Sequence, residues 1–212
     1  MGKLHLTVEE AKEMFIYVAN KMVESKDVLT QADKAVGDGD HGIGMARGFE
    51  AVGQKLETQS FTSMGELFKS IGTTLMMSIG GAAGAVFGTF FRGAGKNTGN
   101  QSELHSQTLT LALQDGLQAV KDRGKAKPGD KTMVDALEPA AVKSAELDAI
   151  PLDAALMEIC EAARQGMEKT KEMVATVGKA KPLGERSLGH ADPGSISTYL
   201  ILKFMLEFAR KR

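Results

Sequence analysis

Apolar residues recur at three- and four-residue steps along nearly the whole chain, the period of helices that turn one face to a core. Ala11, Met14, Phe15, Val18, Ala19 and Met22 make the first stripe. Thr7 and Glu10 form a capping box ahead of it, so a helix is expected from about Thr7 to Ser25. Met45, Phe49 and Val52 mark a short second helix. Ser63 and Glu66 repeat the capping-box spacing before Leu67, Phe68, Ile71 and Leu75, giving a third. Gly80-Gly81 breaks it, and a fourth helix runs to about Arg92. Gly93 to Ser102 is a polar loop. Leu109, Ala112, Leu113, Gly116, Leu117 and Val120 make a fifth helix, the longer window outweighing the strand-like alternation of LTLAL. Asp130 is placed to cap a sixth over Thr132 to Ala145, and Pro151 suits the first turn of a seventh, with Leu152, Ala155, Leu156, Ile159, Ala162 and Met167 inward. After Asp192-Pro193-Gly194, Ile196, Leu200, Phe204 and Phe208 follow at i+4 steps. No segment alternates convincingly as a strand. The expectation is an all-α chain of about eight helices, one domain over residues 1–212.

Composition agrees and removes several function classes. A length of 212 residues suits one domain, and 42% hydrophobic with 25% charged residues excludes a disordered chain. Twelve Met suit tight helix packing. Lys plus Arg is 26 against 27 Asp plus Glu, a net charge of -1, so no bulk field exists to hold nucleic acid. The lone Cys160 excludes an internal disulfide and a Cys-rich zinc site, and fits a reducing cytoplasm. The opening MGKLHLTVEEAKE places acids where a signal peptide needs an apolar run, and Leu6 stands where N-myristoylation needs Ser or Thr. Ser70 to Phe91 is 22 residues without a charge, and Gly80, Gly84 and Gly88 carry the small-xxx-small spacing of membrane helices. Its five Gly, three Thr and two Ser, with Gly-Gly at the middle, point instead to a buried hairpin of two helices and no membrane partner.

The candidate chemistry lies in three polar, Gly-rich loops: Asp33 to Gly44, Lys125 to Met133 and Lys181 to Gly194. The first gathers Asp33, Asp38 and Asp40 within eight residues. Two such charges about 4 Å apart repel by ~4 kcal/mol at an effective dielectric near 20, and a hard divalent cation relieves that. An EF-hand does not fit, because Ile43 and Phe49 stand where its Gly and final Glu belong. A turn with a helix cap accounts for one Asp; an Mg²⁺ or Ca²⁺ site accounts for three. Mg²⁺ in enzymes usually accompanies phosphate, which helix N-termini and glycine turns receive. Gly80-Gly81, Gly129 to Thr132 and Asp192 to Ser195 offer such turns. The Gly95-Lys96 pair is not a P-loop, since Phe90 and Asn97 stand at the positions that need Gly and Ser or Thr. Among the remaining polar residues, His190 reads as structural and His5 and His105 as surface residues. Lys131 suits either phosphate or solvent, and Glu185 and Arg186 suit each other.

GDGDHG at Gly37 to Gly42, GGAAG at Gly80 to Gly84, RGKAKPGDKTMVDAL at Arg123 to Leu137 and LGERSLGHADPG at Leu183 to Gly194 closely resemble, in order, the nucleotide-binding subunit (DhaL) of dihydroxyacetone kinases. The resemblance runs from about Leu6 to the C-terminus. It implies an eight-helix antiparallel barrel, two Mg²⁺ ions on Asp33, Asp38 and Asp40, and ADP or ATP. Nucleotide contacts would fall on His41, Gly42, Ile43 and Gly44, on Ala82 and Ala83 of the Gly-rich loop, on Gly124, Thr132 and Met133, and on the closing turn Asp192, Pro193 and Gly194. Ala83 stands where the family often has Ser. Lys179 stands where the family has Arg, keeping the charge and losing the planar fork.

The activity so implied is phosphoryl transfer to a short-chain ketose held on a separate DhaK-type subunit. The phosphoryl source would be ATP, or a DhaM-type phosphotransferase-system protein that recharges bound ADP. The resemblance also admits a homodimer. It singles out no catalytic side chain in this subunit. Two other classes stay open at this point: a regulatory nucleotide-binding module acting on a partner protein, and a plain Mg²⁺-binding helical protein. Erythrulose is as open as dihydroxyacetone as the acceptor.

Overall fold

The computed structural model describes residues 4–147 and 149–211; the N-terminal processing signals rest partly on residues 1–3, outside the described residues. The chain is all-α. Among the described residues the helices are α1 (Val8–Glu24), α2 (Lys26–Val36), α3 (His41–Thr58), α4 (Met64–Ser78), α5 (Gly81–Ala94), α6 (Ser106–Gly124), α7 (Val134–Ala145), α8 (Leu152–Lys169) and α9 (Pro193–Lys211). Two 3-10 segments, Thr170–Glu172 and Lys181–Ser187, lie between α8 and α9.

The helix count exceeds the expected eight by α2. Its buried positions are Leu29, Asp33 and Val36, so a carboxylate interrupts the apolar stripe and the period is too sparse to see. The expected absence of strands also fails. β1 (His5–Thr7) pairs antiparallel with β2 (Glu103–His105), Leu6 opposite Leu104, in a ladder too short to alternate visibly.

Thr7 and Glu10 make both reciprocal bonds of the capping box that starts α1. At α4, Ser63 accepts from the Glu66 amide at 3.3 Å, but the Glu66 carboxylate accepts from the amide and hydroxyl of Thr62, both at 2.8 Å, so the box is only half made. His105 is no idle surface residue: its ring Nδ1 accepts from the Thr108 amide at 3.2 Å and caps α6. Asp130 does not cap α7. Its carboxylate accepts from the Lys127 amide at 2.9 Å and the Thr176 hydroxyl at 2.6 Å, while α7 opens after Met133.

The uncharged run at 70–91 folds as the hairpin α4–α5. A methyl on Gly72 would lie 2.7 Å from the Gly88 carbonyl, and one on Gly88 would lie 2.6 Å from the Met76 Cβ. The small residues therefore let two helices of this chain approach each other. Among the described residues no helix is long and apolar enough to cross a membrane.

Neighbouring helices pack in a closed cycle: α1 on α3, α3 on α4, α4 on α5, α5 on α6, α6 on α7, α7 on α8, α8 on α9, and α9 back on α1. Inside, Phe15 meets Phe68 and Phe91 edge-on at 5.7 and 5.9 Å between centroids. Helix α2 lies outside this cycle, packed on α3 and touching α9. Alternate connections of the cycle meet at one end, and there they enclose a cavity.

Candidate functional site

That cavity has a volume of about 600 Å³, within the range of small-ligand sites. One wall comes from the end of α2 and the start of α3. Asp33 lies on the last turn of α2, only 6% exposed. Its Oδ2 accepts from the His41 amide at 3.1 Å, so Asp33 caps α3 from the preceding helix. Asp40 holds the cap position itself but its side chain makes no cap bond. The sequence-level cap reading thus falls to Asp33 and leaves Asp38 and Asp40 facing outward. One oxygen from each of the three acids lies within 4.8 Å of the others.

Lys179 crosses from the segment before α9 to meet them. Its Nζ donates to Asp38 Oδ1 and Oδ2 at 2.9 and 2.8 Å and to Asp40 Oδ2 at 2.9 Å. Hydrogen bonding to Asp38, then to Asp40, raises the ammonium above the ordinary lysine range. The same bond to Lys179 lowers the Asp38 carboxyl below its usual range.

A second wall is the turn between α4 and α5. Gly80 and Gly81 adopt φ of +79° and +57°, which only glycine takes without strain. The first bond inside α5 runs from the Gly84 amide to the Gly80 carbonyl at 3.0 Å, so the amides of Gly81, Ala82 and Ala83 have no helical acceptor. No side chain caps this end. It is an open helix N-terminus on a cavity wall, with the field an anion favours.

Arg47, absent from the sequence-level candidates, braces this turn from α3. Its Nε donates to the Ser78 carbonyl at 2.7 Å and its Nη2 to the Ile79 carbonyl at 2.5 Å. It ties the Gly-rich turn to the helix that begins at the acids.

His41 contributes more than backbone. Its Nε2 lies 2.8 Å from the Ser197 hydroxyl, joining the start of α3 to the first turns of α9. Burial dominates its protonation and moves the imidazole below its ordinary value, so the ring is neutral at pH 7.

The floor comes from the turns before α7 and α9. The Asp135 carboxylate accepts from the Gly129 amide at 2.6 Å and the Thr132 amide at 2.7 Å, and the Ser195 hydroxyl donates to the Thr132 carbonyl at 2.6 Å. Asp192 Oδ2 accepts from the Ser195 amide at 2.7 Å at the head of α9. Loss of water around Asp192, with a smaller contribution from Asp135, pushes its carboxyl up to about 7.

Lys131 lines the cavity and is not solvated, so of its two sequence readings the solvent one fails. It is buried, and its Nζ donates to the carbonyls of Thr170 and His190, both at 2.5 Å. It clamps the end of α8 to the segment before α9. The His190 carbonyl receives that clamp, which makes the residue structural through its backbone. Glu185 and Arg186 are both exposed and form no ion pair with each other.

Of the candidates, Asp33, Asp40, His41, Ile43, Gly44, Ala82, Ala83, Gly124, Thr132, Met133, Lys179, Asp192, Pro193 and Gly194 line the one cavity. Asp38 stands beside it in the acid cluster, and Gly42 is buried against α2 near Thr30.

The DAK2 domain family matches residues 35–207. A protein of Escherichia coli K12 described as the ADP-binding subunit DhaL of a PEP-dependent dihydroxyacetone kinase is 38% identical over 187 residues, covering 87% of this chain and 89% of that protein. A Listeria innocua protein of the same description (kinase 1) is 36% identical over 187 residues, covering 88% and 89%. The crystal structure of the dihydroxyacetone kinase from C. freundii in complex with AMP-PNP and Mg²⁺ is similar with a TM-score of 0.72 and 28% identity, over 92% of this chain and 33% of that one. This chain therefore spans about a third of that larger protein. The family match begins in α2, ends in α9 and takes in every loop of the cavity: the chain belongs to the DAK2 domain family.

Proposed function

We propose that this chain is the nucleotide- and Mg²⁺-binding subunit of a two-component dihydroxyacetone kinase, all of it one domain whose helix cycle is the barrel of its relatives. The observation that carries this is the meeting of a cluster of three carboxylates and an uncapped helix N-terminus at one cavity of about 600 Å³. The donor set fits the group: oxygen-only acids suit Mg²⁺, and the open amides of 81–83 suit phosphate. Asp33, Asp38 and Asp40 would hold two Mg²⁺ ions, which when bound neutralise charge on phosphate oxygens.

The chain's own part is positioning and electrostatics. The Asp33 bond to the His41 amide fixes the angle between α2 and α3, and with it the spacing of the acids. Arg47 holds the phosphate-facing turn. The Lys131 clamp and the Asp192 cap set the floor against which the nucleoside would lie, near Gly124, Thr132 and Met133. The acceptor, dihydroxyacetone or a related ketose such as erythrulose, belongs on a DhaK-type partner. The phosphoryl source is either exchanging ATP or a DhaM-type phosphotransferase-system protein acting on retained ADP, in the cytoplasm.

The test is turnover of dihydroxyacetone with Mg²⁺ and ATP, or with a phosphotransferase-system donor, with and without a ketone-binding subunit. Activity should require that subunit. Robust turnover by this chain alone would sink the division of labour.

A further inference from the structure

Among the described residues, Lys179 is the one cation paired with the acid cluster, and it spends its donors there: three contacts of 2.8–2.9 Å reach Asp38 and Asp40. We propose that Lys179 is a resident counter-ion of the cluster, which a divalent metal must displace, so that metal loading of this site is an exchange of cations. The inference rests on the metal-site reading above and adds a control to it.

The argument is one of shared lone pairs. An ammonium that bridges both oxygens of Asp38 and one of Asp40 occupies lone pairs on the two exposed acids of the cluster. A hard cation such as Mg²⁺ needs the same lone pairs at about 2.0–2.1 Å. The two cations would also stand within a few ångströms of each other, where they repel.

Departure of the ammonium meets little resistance. The side chains of Lys179, Asp38 and Asp40 are 52%, 58% and 67% exposed, so release strands no buried charge. Lys179 follows Gly178, at φ +70°, in an irregular stretch ahead of the 3-10 segment at Lys181–Ser187. Its backbone belongs to no helix that must break. Lys179 also lines the same cavity as Ala82 and Ala83. Phosphate arriving there supplies anionic oxygens to both the metal and the displaced ammonium. Metal without nucleotide therefore meets a competitor that metal with nucleotide does not.

Mn²⁺ is a suitable probe, with the free ion counted by electron paramagnetic resonance and no nucleotide present. Lys179→Gln should bind Mn²⁺ at least fivefold more tightly than the natural chain. Lys179→Arg, which keeps a cation in place, should stay within about twofold of the natural chain. Lys181→Gln controls for net charge: this exposed lysine has no bond to the acids, and its loss should also shift affinity less than twofold. Unchanged Mn²⁺ affinity in Lys179→Gln, alongside normal Mn²⁺ binding with ADP, overturns the exchange and leaves the metal site standing. Equal tightening by Lys181→Gln overturns it too, since bulk charge would then explain the effect. Failure of all four proteins to bind Mn²⁺ even with ADP removes the metal site, and the exchange with it.

Discussion

Between Gly37 and Gly42 the cavity wall is made of side chains; between Gly80 and Gly84 it is made of backbone. Both are glycine-rich turns that lead into a helix, and both face the same space. The first presents Asp38 and Asp40, and a third carboxylate, Asp33 of the preceding helix, fills its helix N-terminus. The second presents no charge and leaves its helix N-terminus uncapped. A cation is selected by charge and donor atom, which only side chains can supply here. An anion can be received by amides and a helix dipole, which almost any small residue leaves intact. Substitutions should therefore bite hard at the acids of the first turn and lightly at Ala82 and Ala83 of the second.

The largest effect should come from Asp38→Asn. The change is nearly isosteric and removes one anionic donor from the cluster. Losing an outer-shell partner alone typically costs 10–100-fold in metal affinity, so losing a ligand should cost at least that. Asp38 is exposed and away from the core, so the helical fold should be unaffected. Calorimetric titration with Mg²⁺ and ADP, beside a circular dichroism spectrum, checks both parts. Natural affinity in the variant removes Asp38 from the site.

Next is the response of the natural chain to its ligands. Saturation at about 100 times the dissociation constant adds ~2.7 kcal/mol, and for this size each kcal/mol moves the melting midpoint by roughly 2–4 °C. Mg²⁺ and ADP together should raise the midpoint by about 5–10 °C. Mg²⁺ alone should do much less, because phosphate supplies part of its shell and Lys179 already neutralises part of the cluster. A full shift from Mg²⁺ alone would mean that the acids act without the glycine turn.

Arg47→Ala tests whether the backbone turn needs its brace. Two charge-assisted bonds to the carbonyls of Ser78 and Ile79 disappear, but the guanidinium is exposed, so water replaces part of them. About 1 kcal/mol is a fair expectation, a fivefold loss of nucleotide affinity. Mn²⁺ binding without nucleotide should not change, since Arg47 touches none of the acids. Parallel loss of both would show that the two turns move as one body.

The same contrast explains what the sequence made visible. Three Asp and four Gly within a dozen residues announce themselves, as does Gly-Gly inside an apolar run. The helix that carries Asp33 did not, because the site takes one of its three inward positions from the core. The start of α3 is hidden for a related reason: His41, Gly42, Ile43 and Gly44 give no apolar period, so the pattern shows the helix only from Met45. Partners far apart in sequence left no local trace. Lys179 meets Asp38 across 141 positions, and Arg47 meets Ser78 across 31. For Lys131 the sequence leaves phosphate and solvent open, and only the fold supplies the two carbonyls that bury it.

The smallest effect should come from Ala83→Ser, which adds a hydroxyl to the Gly-rich turn. Ala83 lies two residues into α5, where the amide faces the cavity whatever the side chain is. If that amide is the working donor, a hydroxyl adds one further hydrogen bond to phosphate at a partly wet site. Such a bond contributes about 0.5–1.5 kcal/mol net, and its share here should sit at the low end because water competes for the same oxygens. ADP titration at saturating Mg²⁺ should show a gain of two- to threefold and no change in Mn²⁺ affinity without nucleotide. A gain of tenfold or more would mean that the natural chain lacks a donor the turn needs, and that this wall too depends on side-chain chemistry. No gain at all would place the phosphate over Gly81 and Ala82, one residue nearer the start of the helix.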